Sequence, residues 1–411
     1  MPAELRVDAD RLNRRLRELA AIGATDGGGV TRLALSDEDR AGRDLLGRWM
    51  AEAGLEVRVD DLGNMVGVRA GETDAPPVLL GSHIDTVVRG GRYDGALGVL
   101  GGLEVIETLN DAGVATRLPV ALVNWTNEEG VRFEPAMTAS GVVAGRFIRE
   151  EIDAKTDRAG LAFGAELDRV GYRGDAANRP GRASAYLELH IEQGPVLEAA
   201  GQAVGVVGGI VGITWSEVVV TGQADHAGPS PMGLRRDALT AAARIVLAVE
   251  RLARERDATA VATVGRLAVE PNVINTIPGR ATFSVDLRHA EPAVLEQQFA
   301  ALGRIVADVA DETGTEATLN RFWTSEPTPF AADVIAAVDA SVAELGLDAG
   351  RLWSGAGHDA KYLADVCPSG MIFVRSRGGL SHCEQEHSSE ADIAAGANVL
   401  LHTVMRLAGE R

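Results

Sequence analysis

Apolar and polar positions along the first 125 residues follow two periods in turn. Asp8 stands where a helix N-cap should, ahead of a helical pattern running to about Ala21. Ser36-Asp37-Glu38-Asp39 opens a second helix with acids at the positive end of its dipole, and Gly54 is placed to stop it. Leu55–Val59 and Met65–Val68 read as strands around a turn at Asp61-Leu62-Gly63-Asn64. Pro77–Gly81 is a short apolar strand leading into Ser82-His83, Gly95–Leu109 a helix, and Leu118–Trp125 a buried strand. Strands alternating with helices predict an α/β domain with a mostly parallel sheet, its chemistry beyond the carboxyl ends of the strands.

The pattern changes near residue 212. Thr214–Gly222 reads as a β-branched strand, about Arg235–Arg254 as a long helix, and Ala260–Val269 and Arg280–Leu287 as strands. A second long helix covers about Val294–Thr313, and a strand lies near Ala317–Phe322. This order is the split βαβ pattern of a ferredoxin-like module. After Pro327 and Pro329 the α/β pattern resumes and closes with a helix at Glu390–Leu407. The predicted architecture is a discontinuous α/β domain made of residues 1–212 and 326–411, with a smaller α+β domain inserted at 213–325. A length of 411 residues also calls for more than one core.

With 46% hydrophobic and 24% charged residues, the chain reads as soluble and globular. Its net charge of −19 would repel phosphate backbones, so no nucleic-acid partner is expected. The longest apolar stretch, Val204–Ile213, is interrupted by four glycines and is too short to span a membrane. Cys367 and Cys383 suit a reducing compartment, and Met1–Arg14 carries no apolar run. A cytoplasmic location is therefore expected.

Four segments could carry chemistry. His83-Ile84-Asp85 follows a strand, and Asp94 lies eleven residues after His83. A metal ligand with an orienting carboxylate would look like this, and so would a structural histidine. Asn127-Glu128-Glu129-Gly130 offers either a solvated loop or a division of labour, with one carboxylate on a metal and the other free as a base. That division needs the bend Gly130 permits. Alternation puts Glu188, His190 and Glu192 on one strand face, as in a ligand site or an exposed edge. In Gly379-Leu380-Ser381-His382-Cys383-Glu384-Gln385-Glu386-His387, two histidines compete for any metal role, and Cys383 is an unlike partner for oxygen and nitrogen donors. Together His83, Asp94, Glu129, His190 and a C-terminal histidine make a nitrogen and oxygen donor set suited to zinc or manganese.

These motifs resemble the dinuclear-metal amidohydrolases of the aminoacylase/carboxypeptidase family, in the hydantoinase/carbamoylase branch. The resemblance runs through GSHIDTVVRGGRYDGALGVL, NEEGVRF, LHIEQGPVLE, ADHAGPSPM, NVINTIP, VDLRH, SGAGHDA and GGLSH, in that order. It implies a metallopeptidase-like catalytic domain and an inserted ferredoxin-like lid and dimerisation domain. It implies two divalent ions per subunit, Zn²⁺ or else Mn²⁺ or Co²⁺, with His83 and His190 on one and Glu129 and His382 on the other. Asp94 would bridge them, Glu128 would be the general base, and Asp85 would orient His83. The family pattern prefers His382 to His387 and places Asp94–Gly95 in cis. Gln193 would meet the carbamoyl end, and the backbone at Ala356 and Gly357 would line the pocket. Asn275 and Arg288 would hold a substrate carboxylate, and His226 would steady the oxyanion from the partner subunit of a homodimer with composite sites.

The branch includes N-carbamoyl-L-amino-acid hydrolases, β-ureidopropionases and allantoate amidohydrolases. The resembling allantoate enzymes carry a Gln-Arg-Arg run where this chain has Gly212-Ile213-Thr214-Trp215-Ser216-Glu217. With no arginine there, the expected substrate is a small molecule with a carboxylate and a single ureido group, an N-carbamoyl-L-amino acid. The reaction would release the amino acid, CO₂ and ammonia. The rivals are allantoate or N-carbamoyl-β-alanine as substrate, a dinuclear exopeptidase, and an inactive ligand-binding relative.

Overall fold

The structure, a computed structural model, describes residues 4–409. The chain divides into two compact units, Met1–Gly209 with Phe330–Arg411, and Ile210–Pro329. The second unit thus extends a few residues beyond the insertion read at 213–325.

In the first unit the helix caps are where the sequence puts them. Asp8 accepts from the Arg11 amide to start Ala9–Ala20, and Ser36 accepts from the Asp39 amide to start Asp37–Glu52. The sheet runs in the order Glu56–Val59, Met65–Arg69, Val120–Trp125, Val78–His83, Ala185–Ile191, Ser369–Val374, Val204–Ile210. Its centre is parallel, from Val120–Trp125 across to Ser369–Val374. Glu56–Val59, Met65–Arg69 and Val204–Ile210 pair antiparallel, so the mostly parallel sheet becomes a mixed one. Glu56–Val59 and Met65–Arg69 are joined by the short turn at 60–64 and need no crossover helix, so nothing constrains that pair to run parallel. Every residue of the four central strands is buried, as expected of strands covered on both faces.

The helices Ala96–Asp111 and Glu390–Ala408 contribute Val99, Leu103, Leu400 and Val404 to the core, with Leu80, Leu122, Leu189 and Ile372 from the strands. Burying such side chains is worth about 1.5–3 kcal/mol each, which makes the central strands a rigid base for whatever lies at their ends. No helix among the described residues is long and apolar enough to cross a membrane.

The second unit has a sheet in the order Leu267–Glu270, Arg280–His289, Gly212–Thr221, Glu316–Ser325, with antiparallel pairing throughout. The helices Ala238–Arg254 and Pro292–Thr313 share a core with it through Ile245, Val249, Leu302, Val218, Phe283 and Leu287. The strand expected at Ala260–Val269 is two pieces, Val261–Thr263 and Leu267–Glu270, which pair with different parts of Arg280–His289. The break falls at Val264-Gly265-Arg266, and the Arg266 carbonyl accepts from the Ser284 amide across it. A second, two-stranded pairing joins Asp225–His226 to Thr276–Ile277.

Candidate metal centre

Four chain segments arrive at one end of the parallel strands. His83 ends its strand, Glu128 and Glu129 follow Trp125, His190 and Gln193 bracket the end of Ala185–Ile191, and His382 lies on the loop after Val374. They line a pocket of about 160 Å³ together with Asp94, Met137, Ala356, Gly357 and His358.

Both histidines at the strand ends are turned the same way. His83 Nδ1 is 2.9 Å from the Asp85 carbonyl, and His190 Nδ1 is 2.9 Å from the Ile191 carbonyl. A carbonyl only accepts, so each Nδ1 carries a proton and each Nε2 faces the pocket. His190 Nε2 lies 3.1 Å and His83 Nε2 3.8 Å from Asp94 Oδ1. On the other side, His382 Nε2 is 3.4 Å from Asp94 Oδ2 and 3.5 Å from Glu129 Oε2. One donor group is therefore His83, Asp94 and His190, a second is Asp94, Glu129 and His382, and Asp94 offers one oxygen to each. Glu128 Oε2 stands 3.5 Å from His83 Nε2 and belongs to neither group.

The backbone is bent to achieve this. Gln193 (φ 57°), His382 (φ 54°) and Met137 (φ 51°) line the pocket in the left-handed region, and Asn127 (φ 59°) turns the chain before Glu128. Such conformations cost of order 1–3 kcal/mol each and persist where the surroundings over-determine them. Asn127 Nδ2 donates to the Phe133 carbonyl and Thr138 Oγ1, both at 2.7 Å, which fixes that turn. Gly95 (φ 62°) admits no side chain, since a Cβ there would come within 2.5 Å of the His83 ring.

Buried negative charge dominates the electrostatics. Burial, with Asp359 and Glu129 as neighbours, raises the Glu128 carboxyl well above the usual range. Burial and Asp94 do the same to Glu129. At Asp94 burial pulls upward too, but His190, His382 and His83 outweigh it and hold the carboxyl well below its ordinary value. Burial lowers His83 to about 4, while at His190 the pull of Asp94 overcomes burial and raises the imidazole to about 9. Crowded carboxylates with imidazole Nε2 atoms among them fit divalent cations, which would offset the charge, displace the proton that Asp94 draws onto His190, and take nitrogen and oxygen donors together.

Residues 79–406 match the family described as peptidase family M20/M25/M40. The chain belongs to this family. It is 43% identical over 407 residues to an N-carbamoyl-L-amino acid amidohydrolase of Geobacillus stearothermophilus, covering 98% of this chain and 99% of that protein. An allantoate amidohydrolase of Bacillus subtilis is 35% identical over 393 residues, covering 95% of each. Among solved structures, a hydantoinase/carbamoylase family amidase from Burkholderia multivorans is similar with a TM-score of 0.96 and 49% identity, covering 98% of this chain and 99% of that one. The family read from the motifs is borne out.

Several details of this M20 site depart from the sequence reading. Asp85 orients His83 through its carbonyl, while its carboxylate accepts the Glu128 and Glu129 amides at 3.3 Å and so holds their turn. The Glu188-His190-Glu192 face is no edge, since its strand lies between two parallel neighbours. Only His190 of the three lines the pocket. Glu188 accepts from Ser82, Tyr186 and the Ala360 amide, and Glu192 accepts the Val196 and Leu197 amides. His387 packs edge-on against Tyr93, and neither it nor Cys383 joins a donor group among the described residues. The cis peptides there are Glu134–Pro135 and Glu270–Pro271, so Asp94–Gly95 is not the cis bond expected. Gly95, at φ 62° and ψ −48°, makes the turn into the following helix instead.

Gln193 Nε2 donates to Asp94 Oδ2 at 2.8 Å, tying the residue expected at the carbamoyl end to the shared carboxylate. Of the residues expected on the second unit, His226 and Thr276 are paired, and the Asn275 carbonyl accepts the Ala227 amide, so His226 and Asn275 are near neighbours. Arg288 is on the larger sheet, where Asp286 accepts from its Nε and Nη2 at 3.0 and 2.7 Å. Trp215 Nε1 donates to the same Asp286 at 3.0 Å. The sequence reading missed Met137 and His358 in the pocket wall, and Glu386 behind Asp94. Glu386 had a visible signal, being four residues after His382 in the same polar segment.

Proposed function

We propose that the protein hydrolyses the carbamoyl C–N bond of an N-carbamoyl-L-amino acid, releasing the amino acid, CO₂ and ammonia. The observation that carries this is the split of Asp94 between two donor groups, with the Glu128 carboxylate beside them and outside both. The name of the Geobacillus relative supports the substrate class. His83 and His190 would hold one divalent ion and Glu129 and His382 the other, with Asp94 on both; zinc fits these donors, and manganese or cobalt would too. When bound, the ions supply Lewis acidity towards water and the carbamoyl oxygen.

Glu128 takes the proton of the attacking water and later delivers it to the leaving amine nitrogen. The C–N bond breaks with that delivery, and the carbamate formed decays to CO₂ and ammonia. Gln193 and the backbone of Ala356 and Gly357 would bind the ureido end. Arg288 would bind the substrate carboxylate as a planar fork, with Asn275 beside it, and His226 would donate to the oxyanion. These last three would act in a homodimer with composite sites, in the cytoplasm.

Allantoate is the rival substrate, since an allantoate amidohydrolase is among the relatives. Trp215 argues for one ureido group. Its indole occupies a stretch without arginine and hydrogen-bonds Asp286. The test is ammonia release by metal-stripped protein reloaded with Zn²⁺, Mn²⁺ or Co²⁺, given N-carbamoyl-L-amino acids, N-carbamoyl-β-alanine and allantoate. Turnover of an N-carbamoyl-L-amino acid with allantoate inert is expected. Silence across the panel would sink the proposal.

A further inference from the structure

The residue shared by the two donor groups is reached at two points by one side chain, at its backbone directly and at its carboxylate through Ser381. Glu386 is buried in the loop between Ser369–Val374 and the last helix. One of its oxygens accepts the backbone amides of Tyr93 at 2.9 Å and Asp94 at 3.1 Å. The other lies 3.0 Å from the Ser381 hydroxyl, which is 2.9 Å from Asp94 Oδ2, so one hydroxyl proton serves both carboxylates. Glu386 therefore meets Asp94 directly at its backbone and, through Ser381, at its carboxylate. The approach also requires a bare backbone opposite, because a Cβ on Gly91 would fall 1.9 Å from the Glu386 carboxyl.

We propose that Glu386 is the positioning residue of the metal centre, setting the direction of both Asp94 oxygens and so the affinity of both ion sites at once. The inference rests on the dinuclear reading above. Its distinguishing consequence follows from Asp94 being common to the two groups. Loss of His83 or His382 removes a donor from one group, whereas loss of Glu386 loosens the residue both groups share. Two other accounts of Glu386 predict something else. A packing role would lower stability and leave ion affinity alone. A purely electrostatic role would be lost with the charge, whether or not the hydrogen bonds remained.

Glutamine separates these accounts. Its amide oxygen still accepts the two backbone N–H groups, and its NH₂ donates to Ser381, which then has its own proton for Asp94. The experiment is calorimetric titration of Zn²⁺ into the metal-stripped full chain, for wild type, Glu386→Ala, Glu386→Gln and Ser381→Ala. Wild type should take two ions. Glu386→Ala should weaken both by about 10–100-fold, the usual cost of losing a group that orients a ligand, with Glu386→Gln within about 3-fold of wild type. Wild-type affinity in Glu386→Ala, loss at one site only, or equal losses in the alanine and glutamine variants would overturn the inference. Should Glu386→Ala not fold, Ser381→Ala decides, since it keeps the backbone half of the clamp. It should weaken both ions, and wild-type affinity there overturns the inference. Fewer than two ions on wild type would instead overturn the dinuclear reading, and this inference with it.

Discussion

Glu128 and Glu129 are neighbours in one turn, both amides held by Asp85, yet only Glu129 enters a donor group. Glu128→Gln should therefore keep the ion stoichiometry of wild type while kcat falls by roughly 10³-fold. Undiminished turnover in the metal-loaded variant would remove Glu128 from the mechanism. Asp60, in the turn before Met65–Arg69, bears a different load. It is buried, accepts the Leu62 and Asn64 amides at 2.9 Å, and burial lifts its carboxyl from 3.8 to about 6. The folded state thus keeps a proton that the unfolded chain releases at lower pH. Stability from this group is full below about pH 4 and is lost as pH rises to about 6, by roughly 3 kcal/mol at most. Urea melts of Asp60→Asn should show a flatter pH dependence than wild type across that window. Parallel curves would mean that Asp60 titrates normally. The sequence marks the donors themselves, because their residue types and spacing carry the chemistry. It does not mark the use of Asp85's carbonyl, which depends on how the backbone bends just after His83, or Glu386's clamp, which joins segments nearly 300 residues apart.

At the scale of elements, what could be read from the sequence is what local chemistry decides. Asp8 and Ser36 cap helices because a short side-chain oxygen satisfies an otherwise unpaired amide, a pattern that needs no knowledge of the fold. Ser36→Ala should lower stability by about 1 kcal/mol, visible as a reduced thermal midpoint with activity per folded molecule unchanged. An unchanged midpoint would show that the first-turn acids and packing suffice. Strand direction is another matter. Residue type does not distinguish Met65–Arg69, antiparallel to Val120–Trp125, from Val78–His83, parallel to it. Likewise the break at Gly265 depends on how Leu267–Glu270 and Val261–Thr263 each meet Arg280–His289. Pairing partners decide both, and they are not local.

At the scale of the molecule, the two units each have a core, and the residues proposed to bind a substrate carboxylate lie on the one without the metal donors. If a partner subunit supplies His226, activity needs the dimer. Light scattering should find a dimer wherever the protein is fully active, and a fully active monomer would refute the composite site. The order of strands in the first unit has a further consequence, for synthesis. Ser369–Val374 sits between Ala185–Ile191 and Val204–Ile210, so the middle of that sheet is filled by a segment made only after the whole of Ile210–Pro329. Until then the growing chain carries two unpaired strand edges and lacks His382, while the whole of Ile210–Pro329 has already emerged and can fold. The second unit is thus born finished into a chain whose metal centre cannot close until Ser369–Val374 and His382 have followed it out, and in that interval the open edges are what a chaperone would have to cover.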